Sequence, residues 1–135
     1  MVPDIQRVGI HRSVGAVFPP EVLAGSMNDL PIDVSVVDTD GVDRVDAVAT
    51  FDYEDAFLEG PEWIHTVQAG YDKFPLPELE ARDITLTNSA GIHGGSVGET
   101  AVGMMLAFAR RLHAYVESKS RGAWERPDWD APFTL

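Results

Sequence analysis

Apolar positions in this chain fall into short runs that alternate between strand-like and helix-like spacing. Residues 5–10, 32–37, 46–50, 63–67 and 84–87 are β-branched or apolar runs of strand length, and each predicts a strand. Helix signals lie between them. Pro19-Pro20 opens a short helix, because the missing proline N–H costs nothing in a first turn. Residues 76–81 form another, beside Pro75 and Pro77. The longest helix is expected from 97 to about 118. Ser96 and Glu99 carry the spacing of a capping box. Beyond them Ala101, Met104, Met105, Phe108, Leu112 and Tyr115 recur every three to four residues as one apolar face. That face reads as core or subunit-interface packing. Arg110, Arg111 and His113 follow toward the carboxyl end, where the helix dipole favours positive charge.

Strands that alternate with helices predict an α/β domain with a parallel sheet. Five strands with crossover connections most simply give a flavodoxin-like sheet of order 2-1-3-4-5, followed here by the long helix and an extended tail. Residues 1–118 are expected to form that domain, and 119–135 an arm or linker. Trp124 and Trp129 in the arm are expected to rest on another domain or subunit, since exposed tryptophan is costly. Ligands on such sheets bind beyond the carboxyl ends of the strands. The turns after residues 10, 37, 50, 67 and 87 are therefore the places to look.

Composition narrows the partners. With 44% hydrophobic residues the chain is an ordinary globular sequence, and no apolar run reaches membrane-spanning length. It has no cysteine and no visible signal peptide, which fits a cytoplasmic protein. Twenty-two acids face ten bases, for a net charge of -12. Such a field repels phosphate backbones and anionic lipid, so neither nucleic acid nor a membrane is expected as a partner. The acids are scattered along the whole chain. That scatter favours a solvated acidic shell suited to high salt, and a halophilic source, over a local cation-binding surface. Asp38, Asp40, Asp43 and Asp46 lack the central glycine and closing glutamate of a calcium loop, and no metal site is expected.

The richest turn follows the fourth strand. In Gln68-Ala69-Gly70-Tyr71-Asp72, Gly70 permits close approach of a ligand or a positive φ, and successive backbone N–H groups in such a turn can cradle an anion. The residues alone leave two readings open: a tight structural turn, or a carboxylate cradle.

Trp63-Ile64-His65-Thr66-Val67 running into this turn, then Leu76-Pro77-Glu78-Leu79, then Ile84-Thr85-Leu86-Thr87-Asn88, then Val97-Gly98-Glu99-Thr100 resembles the N-terminal part of the D-isomer-specific 2-hydroxyacid dehydrogenases. The resemblance covers about residues 46–115 and is faint before that. It implies that the backbone amides of Ala69 and Gly70 hold a substrate carboxylate, and that Phe51 and Tyr53 shape the pocket for the substrate side chain. It also places Thr100, in the first turn of the long helix, near the nicotinamide of NAD or NADP. Asp72 is expected to be a turn or cap residue. The family's catalytic Arg, Glu and His lie elsewhere in its sequence, and none of His11, His65, His93 or His113 matches the catalytic histidine. No G-x-G-x-x-G occurs before Leu135. The chain is thus expected to be the substrate-binding domain without its dinucleotide-binding partner: no catalytic residue of its own, inactive alone, binding a 2-oxoacid or 2-hydroxyacid, and a homodimer.

Two other classes remain in view. One is a free-standing flavodoxin-like binding or signalling module. Against it, the first strand leads into His11-Arg12-Ser13, which lacks a receiver's clustered acids and offers only Ser13 toward a flavin phosphate loop. The other is a dimerisation scaffold without catalysis, built on the long apolar helix. His93, flanked by glycines, reads as an exposed loop residue.

Overall fold

A computed structural model describes residues 4–125 together with Asp128. They divide into two compact units, Met1–Gly91 and Ile92–Leu135. The first carries five strands: β1 (Arg7–His11), β2 (Asp33–Val37), β3 (Ala47–Thr50), β4 (Trp63–Thr66) and β5 (Thr85–Asn88). All pair in parallel, in the order β2-β1-β3-β4-β5. This is the sheet expected from the sequence.

The central strand explains the core. All four residues of β3 are buried, as a strand covered on both faces requires. Val48 joins Val42, Val45, Phe57, Ile64, Phe74 and Leu79 in one apolar cluster. Its neighbour Ala49 points the other way, into a cluster with Ile10 and Val14 onto which Phe18, Leu23 and Met27 pack. Leu23 belongs to helix α1 (Pro20–Ser26), which follows a 3₁₀ turn at Arg12–Ala16. Helix α2 (Leu76–Glu80) connects β4 to β5.

The β2–β3 and β3–β4 connections are 3₁₀ turns, Thr39–Arg44 and Asp55–Leu58, rather than α-helices. They are six and four residues long, and each buries one anchor, Val42 or Phe57, in the first cluster. Asp46 ties the strand starts together. Its carboxylate accepts the backbone N–H groups of Gln6 and Arg7 at 3.0 and 2.7 Å and pairs with the Arg7 guanidinium at 2.6 Å.

The second unit corrects the expectation of one long helix. Helix α3 (Gly94–Ala109) and helix α4 (Leu112–Ser120) are separate, and Arg111 between them sits in the left-handed region at φ 59°. No glycine or proline marks this break. The Phe108 and His113 rings stack across it, 5.7 Å apart. The capping box does not form either. The helix starts two residues before Ser96, whose hydroxyl donates to the His93 carbonyl instead. Met104 and Phe108 on the expected apolar face are 68% and 62% exposed. Trp124 is fully exposed, and Trp129 lies outside the described residues. No helix among the described residues is long and apolar enough to cross a membrane.

Candidate functional site

Parallel strands bring the turns after β1, β3, β4 and β5 to one edge of the sheet. Three hydrogen-bonded groups of side chains organise that edge.

The first joins β1 to β3. His11 is 4% exposed, and its ring meets the Phe57 ring edge-on at 5.3 Å. Its Nδ1 accepts the Ser13 N–H at 3.3 Å and lies 2.9 Å from Ser13 Oγ. In the neutral ring Nε2 then carries the proton, facing Thr39 Oγ1 at 3.4 Å and Glu54 Oε1 at 3.6 Å. Thr39 in turn donates to Glu54 Oε2 at 2.6 Å. Ser13 Oγ also contacts Thr50 Oγ1 at 2.9 Å and accepts the Phe51 N–H at 3.0 Å. A serine beside a histidine and a glutamate invites a nucleophilic reading. The hydroxyl is instead spent on the two turns, so the arrangement is a clamp.

The second group surrounds the turn after β4. The Gln68 side-chain amide donates to the Phe51 carbonyl, linking this turn to the one after β3. The Gln68 carbonyl accepts the Ser89 N–H at 3.0 Å, and the Ala69 carbonyl accepts the Asn88 side-chain amide at 2.6 Å. The N–H groups of Ala69 and Gly70 donate to no protein group among the described residues, and both residues are exposed. Gly70 does not adopt a positive φ, contrary to one of its two expected roles. What it supplies is space. A Cβ added there would meet only Asp72 Oδ2, at 3.7 Å. The nearby Lys73 ammonium is paired with Asp52 at 2.7 Å, so apart from the Tyr71 hydroxyl the exposed donors of this turn are backbone groups.

The third group lies along β4 and β5. Trp63 Nε1 donates to Thr87 Oγ1 at 2.8 Å, and the His65 ring bridges Thr87 and Ser89 at 2.9 and 3.2 Å. Burial pushes the His65 ring below its ordinary value of 6.5.

Phe51 and Tyr53 differ in what they face. Phe51 is half-buried, with its N–H held by Ser13 and its carbonyl by Gln68. The Tyr53 ring packs edge-on against Phe57 and Phe74, toward the core, and burial followed by the Asp55 carboxylate raises its hydroxyl pKa. Thr100 belongs to the second unit, in the second turn of α3 rather than the first, and donates to the Ser96 carbonyl at 2.8 Å. His93, at the start of α3, is exposed. No group of three or more acids or histidines that could hold a metal occurs among the described residues. Asp38 and Asp46 instead pair with Arg12 and Arg7.

The sequence assigns no role in the site to the side chains of Ser13, Gln68 and Asn88. The signal available was positional, since each lies at or just beyond a strand's carboxyl end.

No protein-family model matches the chain. Among curated proteins, the glyoxylate reductase of Thermofilum pendens is 33% identical over 70 residues, covering 52% of this chain and 20% of that protein. The glyoxylate/hydroxypyruvate reductase B of Klebsiella pneumoniae is 33% identical over 67 residues, covering 47% of this chain and 21% of its own length. Over about half of its length the chain is thus similar in sequence to glyoxylate and hydroxypyruvate reductases. It spans about a fifth of the length of these curated relatives, 20% and 21%. Solved structures agree on the fold. The pyruvate reductase of Chlamydomonas reinhardtii superposes with a TM-score of 0.66 at 19% identity, over 96% of this chain and 42% of that one. A D-2-hydroxyisocaproate dehydrogenase superposes with a TM-score of 0.69 at 14% identity, over 87% of this chain and 39% of that one.

Proposed function

We propose that this chain is the substrate-binding part of an NAD(P)-dependent D-2-hydroxyacid dehydrogenase, which interconverts a 2-oxoacid and a D-2-hydroxyacid. The carboxylate of the 2-oxoacid sits on the N–H groups of Ala69 and Gly70. One observation carries this reading: two successive backbone donors at the carboxyl edge of a parallel sheet have no protein acceptor among the described residues. The kinship with glyoxylate and hydroxypyruvate reductases supports it. Phe51, held over the edge by the Ser13 clamp, borders the substrate side chain. Tyr53 backs that wall from the core side.

Thr100 is the one position that the resemblance directs toward the nicotinamide, and its hydroxyl proton is already given to Ser96. On this reading the cofactor, which supplies or accepts the hydride, is held by another part of the parent enzyme, which also supplies the groups that move protons. A homodimer formed through the exposed apolar side chains of α3 and α4 belongs to the same reading.

Equilibrium binding of oxamate, an unreactive 2-oxoacid mimic, tests it. Oxamate should bind and its neutral ethyl ester should not, because the recognition is of charge by N–H dipoles. Equal binding of both, or of neither, would contradict the carboxylate assignment. In a separate assay the 135 residues alone should show no NADH- or NADPH-dependent turnover of glyoxylate. Measurable turnover would overturn the division of labour.

A further inference from the structure

A trans peptide unit is planar, with its C=O and N–H pointing in opposite directions. Pinning a carbonyl therefore fixes the direction of the N–H that follows it. The Gln68 carbonyl is held by the Ser89 N–H at 3.0 Å, which turns the Ala69 N–H away from the end of β5. The Ala69 carbonyl is held by the Asn88 side chain at 2.6 Å, which turns the Gly70 N–H away from the same end. Two successive N–H groups thus face one way. Such an alignment commonly comes from alternating right- and left-handed residues. No residue of this turn has a positive φ, so here it is imposed from outside.

We infer that the end of β5 aims the anion-binding amides, and that Asn88 is the positioning residue for Gly70. This rests on the carboxylate reading of the same turn. Asn88 acts through the Ala69 carbonyl and needs no contact with the ligand. The two pins differ in kind. The Ser89 pin is backbone, with the Ser89 hydroxyl steadied by His65 at 3.2 Å, and it survives substitution of Asn88. The Asn88 pin is a side chain. Losing it frees one peptide unit and leaves the other fixed.

That asymmetry gives a readout which a merely structural role would not produce. In the wild-type chain, oxamate should shift the Ala69 and Gly70 amide resonances together and saturably. In Asn88→Ala the Gly70 response should disappear while that of Ala69 persists, with affinity falling about tenfold for one misdirected charge-assisted hydrogen bond. A ligand-free arm separates this inference from the reading beneath it. ¹⁵N–¹H residual dipolar couplings should change at Gly70, and not at Ala69, in both Asn88→Ala and Asn88→Asp. The second variant keeps the side-chain shape and loses the donor at neutral pH, which guards against a folding defect in the first. Couplings unchanged at Gly70, or changed equally at Ala69 and across the sheet, would overturn the inference. Changed couplings at Gly70 in a chain that does not bind oxamate would uphold the positioning role and sink the carboxylate reading.

Discussion

Gly60 stands where a side chain has no room. A Cβ there would lie 2.5 Å from the Val42 carbonyl oxygen and 2.7 Å from Asp43 Cα, both backbone atoms that cannot swing aside. Gly60→Ala should cost about 2 kcal/mol or more in a denaturant melt, the range for overpacking against an unyielding neighbour. A loss within error of zero would mean that the Thr39–Arg44 turn moves freely. At Asp46, the hydrogen bond from Arg7 leads the causes that hold the carboxylate below its usual value of 3.8. A depressed folded-state pKa stabilises at pH above 3.8, and that contribution is lost as pH falls through the folded value. Asp46→Asn should therefore lower stability at neutral pH and flatten the acid limb of the melting profile; an unchanged acid limb would contradict this. The glycine-containing turn at 68–72 was legible because a strand leading into Ala-Gly is a local pattern. The role of Asn88 was not. Its partner lies 19 positions away and is a carbonyl, invisible to side-chain patterning.

The strands were legible because β-branched runs are continuous, and their ends fell within a residue or two of expectation. The break between α3 and α4 was not, because Arg110 and Arg111 are good helix formers by propensity. Arg111 occupies the left-handed region, and its Nε is buried without a hydrogen-bond partner. Glycine takes that backbone without a steric penalty, so Arg111→Gly should be neutral or stabilising by about 1 kcal/mol in a chemical melt. A clear destabilisation would show that the arginine side chain holds the break. The β4–β5 pair carries its own pH dependence. His65 is lowered by burial, so its folded pKa lies below the unfolded 6.5 and the unfolded chain binds the extra proton first. Stability should decline as pH falls below 6.5, and His65→Gln should remove that part of the decline. A variant with the wild-type profile would contradict it.

For the whole molecule, a net charge of -12 on 135 residues is a self-repulsion that salt relieves. Among the described residues, ion pairs with arginine or lysine engage only some of the acids. The melting temperature should rise steadily from low to molar potassium chloride, as a halophilic origin requires, and a flat response would remove that origin. The sheet order was legible because crossover rules leave few arrangements for five such strands. The apolar face of α3 was legible as a pattern, while its exposure is a tertiary property that no period encodes. The central claim is that a carboxylate rests on two backbone amides after β4. A site-resolved ¹H–¹⁵N titration of the wild-type chain with oxamate tests it most directly. The account predicts saturable shifts centred on Ala69 and Gly70, with smaller ones at Phe51 and Asn88. Shifts that bypass residues 68–72, or that never saturate, would contradict it.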